Sequence, residues 1–118
     1  MKFKENKLEG VIIEFQVLEE IMNESGFDYQ FDYERVTFDY KMIDEVKNDT
    51  YYFRIPAHVE QGEIPKAGST VRMMVPYVGK HYYPHGIEYD EEFPTRVLDK
   101  CAQKLNLVQG KIEAEKQD

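Results

Sequence analysis

The chain has no tryptophan, one cysteine, and more acids than bases, and each shortage closes off a class of protein. A lone thiol, Cys101, can form no internal disulfide, which fits a reducing cytoplasm better than an oxidising exterior. A membrane helix needs about 20 consecutive apolar residues. Val11-Ile12-Ile13 falls far short of that and is also too brief for the apolar centre of a secretory signal. Basic charge is scarce: 15 Lys and Arg stand against 23 Asp and Glu, for a formal charge of −8. Without a Lys/Arg cluster there is no basic face to displace counterions from phosphates, so nucleic acid and anionic membrane surfaces are not expected as partners. Also missing are a serine elbow, a phosphate-binding loop, a CxxC pair and a dinucleotide glycine set. No cofactor is expected, and no reaction is legible.

What is present is aromatic. Nine Tyr and seven Phe in 118 residues, with 42% hydrophobic content, suffice for one core, and the length predicts a single domain over 1–118. From Phe27 to Met42 apolar side chains fall on every second residue, with acids and amides between them. A strand sends successive side chains to opposite faces, so this run builds one aromatic wall and one polar wall. The apolar set is odd-numbered through Tyr33 and even-numbered from Val36. The register change at Glu34-Arg35 is read as a tight hairpin, with a bulge as the alternative.

Two helices frame the strands. Val11, Phe15, Leu18 and Met22 recur at helical spacing, and Ser25-Gly26 ends the pattern. Near the other end, Leu98, Cys101, Leu105, Val108 and Ile112 form one apolar seam of a helix starting near Pro94-Thr95, with a frayed tail over 113–118. Between the helices, a strand runs from Tyr51 to about Val59, and Pro56 should end it, kink it or place it at an edge. A further strand runs from Thr70 to about Val78, with Val71, Met73, Val75 and Tyr77 on one face. Residues 79–94 read as irregular. The order predicts an α+β fold: a two-layer sandwich with a mainly antiparallel sheet of four or more strands, and an N-terminal and a C-terminal helix packed on one face.

The words Arg54-Ile55-Pro56-Ala57 and Gly79-Lys80-His81-Tyr82-Tyr83-Pro84-His85-Gly86-Ile87-Glu88-Tyr89, with Phe38-Asp39-Tyr40-Lys41, resemble the YugN-like family of Bacillus-type bacteria. The resemblance runs from the first helix to about Cys101. It implies a bacterial cytoplasmic protein with an α+β fold, and it carries over neither an activity nor a functional residue.

Candidate chemistry gathers in the Tyr/His segment after the fourth strand. Tyr82, Tyr83 and Tyr89, with His81 and His85, suit a ligand pocket or a partner surface, because tyrosine joins apolar area to a hydrogen-bonding tip. The plainer alternative is that they close the core. His81, His85 and Asp90, with Glu88 nearby, are the one set of metal-ligand types and would support a metal-assisted hydrolase. Pro84 and Gly86 argue against the helix that would bring both imidazoles to one side, so no metal is expected. Arg54 and Arg72 lie on the polar faces of two strands. They would clamp a carboxylate or phosphate if neighbours, or pair with Asp32, Asp39 or Glu60. Cys101, on the apolar seam, reads as a small hydrophobe and not as a nucleophile. The expectation is a non-enzymatic domain binding a small molecule or a protein. A homodimer is compatible with so small a domain.

Overall fold

The computed structural model describes residues 1–82, 86–89 and 92–116. In chain order the elements are β1 (Ile12–Glu14), α1 (Phe15–Glu24), β2 (Asp28–Phe31), β3 (Arg35–Asp44), β4 (Asp49–Gln61), β5 (Thr70–Met73), β6 (Tyr77–Tyr82), β7 (Gly86–Glu88) and α2 (Thr95–Lys116). The strands form one antiparallel sheet in the order β1-β5-β4-β3-β2, with β6 beside the other half of β4 and β7 outside β6. The α+β architecture with a helix near each end is as the periodicity predicts.

The alternating run becomes the β2–β3 hairpin, with Phe31 opposite Val36 and Tyr29 opposite Phe38. The turn does not depend on glycine. The Asp32 carboxylate accepts the backbone N–H groups of Glu34 and Arg35, each at 2.9 Å, which fixes the reversal with ordinary residues. The even-numbered set of β3 then meets the odd-numbered set of β4: Val36 faces Ala57, Phe38 faces Ile55 and Tyr40 faces Phe53. Val36, Phe38, Phe53, Ile55 and Ala57 join Phe15, Leu18 and Met22 of α1 and Val97, Cys101, Leu105, Val108 and Ile112 of α2 in one buried cluster, against which the half-buried Tyr40 packs. α1 and α2 therefore cover the aromatic side of the sheet, and among the described residues no helix covers its polar side.

Four local expectations are corrected. The first helix begins at Phe15 and not at Val11, because Ile12–Glu14 is drawn into the sheet opposite Thr70–Arg72. Pro56 neither ends nor edges its strand; β4 continues to Gln61 with neighbours on both sides. The Pro56 carbonyl accepts the Met74 N–H at 2.9 Å, so its missing N–H points at the same gap, where β5 has ended and β6 has not begun. The strand expected over residues 70–78 is thus two pieces broken at 74–76. The break inverts the alternation: Val71, Met73 and Val78 enter the core, and Tyr77 turns to the polar side opposite Arg54. Finally, part of the segment read as irregular is the β6–β7 hairpin, with Lys80 opposite Glu88.

Candidate functional site

The side of the sheet away from the helices presents two cross-strand rows of polar residues. In the first, Arg35 of β3 lies opposite His58 of β4, which lies opposite Arg72 of β5. In the second, Asp28, Asp39, Arg54 and Tyr77 follow one another across β2, β3, β4 and β6, and Lys2 bridges to Tyr77 beyond them. Between the rows sit Thr37 and Pro56. Four residues of strand separate the rows, roughly 13 Å at the usual rise.

Arg54 is the most constrained of these groups. Its Nε lies 3.0 Å from Asp39 Oδ1, yet both atoms are buried and neither makes a well-aligned hydrogen bond among the described residues. The pair is held by charge more than by direction. Burial pushes the Asp39 carboxyl above its ordinary value, and the Arg54 charge offsets only part of this. Arg54 also donates from Nη1 to the Tyr89 hydroxyl at 3.0 Å, and its guanidinium lies 5.3 Å from the Tyr52 ring centre. Burial likewise raises the Tyr77 hydroxyl. Tyr77 meets Tyr89 edge to face, with ring centres 5.2 Å apart.

Tyr89 can reach this position because residue 79 has no side chain. A Cβ on Gly79 would stand 2.4 Å from Ile87 Cγ2 and 2.6 Å from Tyr89 Cε1. The β6–β7 hairpin therefore folds Ile87 and Tyr89 onto the polar side, directly over Gly79. Three adjoining hollows surround Tyr77. One of about 230 Å³ is lined by Arg35, Thr37, Asp39 and Arg54. One of about 450 Å³ runs along Lys2, Arg35, Pro56, Arg72 and Met74. The third, about 500 Å³, lies among Met1, Lys2, Lys4, Tyr77 and Tyr89.

Of the candidates read from the sequence, Arg54 and Tyr89 meet here. Arg72 shares the face but sits in the other row, engaged by Glu60 through Nε at 3.2 Å and Nη2 at 3.1 Å. The two arginines thus take separate acids, Asp39 and Glu60, and do not converge. His81 packs edge-on to Tyr52 at 6.3 Å. The side chain of Tyr82, and all of Tyr83, His85 and Asp90, lie outside the described residues. Among the described residues no three His, Cys, Asp or Glu gather where they could hold a metal ion. Sequence reasoning missed Arg35 and Tyr77. The parity of β3 puts Arg35 on the polar wall, and Pro76 was the available sign that Tyr77 had left the apolar set.

The fold and this face define an α+β protein with one helix-covered side and one open, polar, tyrosine-rich side. The chain belongs to the YugN-like family, whose model matches residues 4–111. It is 41% identical over 104 residues to the uncharacterized protein YlbA of Bacillus subtilis strain 168, covering 85% of each chain. It also resembles the crystal structure of the uncharacterized conserved protein YugN from Geobacillus kaustophilus HTA426, with a TM-score of 0.86 and 33% identity over 100% of this chain and 99% of that one. No described helix is long and apolar enough to cross a membrane.

Proposed function

We propose that this is a non-catalytic binding domain of the cytoplasm, whose ligand surface is the open side of the sheet around Tyr77. One observation carries the reading. Hollows of about 230 and 450 Å³ adjoin on the side that no helix covers, and both are lined by Arg35 and Tyr77. Small-molecule sites are concave, partly apolar and furnished with a few directed polar groups. Here Pro56, Met74 and Tyr77 supply apolar floor and wall, and Arg35, Thr37 and Lys2 supply polar edges. Among the described residues, nucleophile, base and oxyanion donors do not converge on these hollows, and this is why binding is preferred to catalysis. A fragment screen read by amide chemical shifts tests the proposal. Binders should perturb the backbone around Arg35, Pro56 and Tyr77. Binders confined to the α2 side, or none at all, would refute it.

A further inference from the structure

We propose that the open side of the sheet takes an anionic small molecule, a carboxylate or a phosphate monoester, held by the Arg35 guanidinium with its flat body against Pro56 and Tyr77. This rests on the reading of that face as a ligand surface and names the class of ligand.

The argument begins with an imbalance. Arg35 and Arg72 stand on either side of His58 in one cross-strand row, with no acid among the three, and two like charges on one face call for acidic partners. Glu60 engages Arg72, and Asp39 engages Arg54. Arg35 has neither kind of relief: its side chain makes no ion pair or hydrogen bond with any described residue. Glu34, next to it in the chain, makes no ion pair with it among the described residues, and Asp32 is committed to the backbone N–H groups of Glu34 and Arg35, which hold its pKa below the usual value. It tempers the Arg35 charge through space without occupying the fork. A rigid planar fork of donors on an exposed strand is suited to bidentate capture of a carboxylate or phosphate.

The position of Arg35 matters as much as its charge. It lines both the 230 Å³ and the 450 Å³ hollows, so an anion on its guanidinium can extend a body into either. Pro56 lies between the two rows as an apolar floor, and Tyr77 provides an aromatic wall shared by both hollows. Glu9 lines the larger hollow and Asp32 and Asp39 line the smaller one, so the site suits an anion of low charge better than a polyphosphate. At −8 overall, the chain would repel a polyanion along most of its surface.

The test is an amide chemical-shift titration of the full chain with phenyl phosphate, benzoate and neutral benzyl alcohol. The anions should move the amides near Arg35, Pro56 and Tyr77 and bind more tightly than the alcohol. Arg35→Ala should weaken them roughly ten- to a hundredfold, and Arg35→Lys should restore part of the loss. Tighter phenyl phosphate assigns phosphate; tighter benzoate assigns carboxylate. Equal binding of the alcohol, or an unchanged affinity in Arg35→Ala with native amide positions elsewhere, overturns the anion and leaves the face as a binding surface. No shift on this face with any of the three overturns both.

Discussion

Cys101 lies on the inner seam of α2 with no exposed surface, and burial pushes its thiol from 9.0 up to about 12. A thiol held neutral is a poor nucleophile. A thiol reagent at pH 8 should therefore leave the native protein unmodified and label it on unfolding; rapid native labelling would contradict the burial. The sign of the pH dependence follows from the same shift. The folded pKa lies above the unfolded one, so the thiol's contribution to stability is complete below about 9 and is lost as pH rises toward 12. Cys101→Ala should flatten that part of a stability profile. Arg54 and Asp39 form an asymmetric pair. Burial already penalises the Asp39 carboxylate, so Asp39→Asn should be close to neutral. Arg54→Met leaves that carboxylate with no counter-charge and should cost about 2 kcal/mol, less than for a fully buried pair because both groups keep some solvent contact. Urea unfolding of the two variants checks the order; equal losses would mean that the pair is a mutual stabiliser.

Among the elements, the β6–β7 hairpin depends most on one residue. Gly79→Ala puts a methyl group where Ile87 and Tyr89 now lie, at 2.4 and 2.6 Å. The hairpin must lift, and the Tyr89 bond to Arg54 goes with it. A loss of about 1–3 kcal/mol is expected, as for other overpacked sites, together with a change in the Tyr89 ring resonances. Unchanged Tyr89 resonances would show that the hairpin does not bear on the sheet as described. Elements differed in how legible they were, for physical reasons. The strands of the β2–β3 hairpin were readable because a period of two, broken by a single change of phase, fits strands and not a helix, and the α2 seam was readable for the corresponding reason at helical period. The start of α1 was not. Val11 and Ile12 fit a helical stripe, and only pairing with Arg72, some sixty residues on, makes strand of that segment. The break at 74–76 was misread because an alternation can resume in the other phase after a proline.

For the whole molecule, the covered side was legible and the open side only in part. Apolar periodicity marks what must leave water, so it finds the core residues Phe38, Phe53 and Cys101. It says nothing of which polar residues meet. Arg54 reaching Asp39 and Tyr89 depends on strand neighbours, and Arg35 is notable for having no ion-pair partner among the described residues, which no local pattern encodes. Lys104 makes the same point between the helices. From α2 it donates to the Ser25 carbonyl at 2.8 Å and lies 4.4 Å from the Tyr40 ring centre, closing the end of α1 from 79 positions away.

The order of the sheet has a consequence in time. β2, β3 and β4 are hairpin neighbours and need only short loops to pair. β1 must wait for β5, and Met1–Phe3 for residues 76–78, across most of the chain. Closing such a span costs chain entropy before any contact offsets it, so the central meander should form early and the first-made strand should be the last to settle. Ile13→Ala would then speed unfolding and leave refolding nearly unchanged, as read from the two arms of a chevron plot; slowed refolding would place β1 in the nucleus instead.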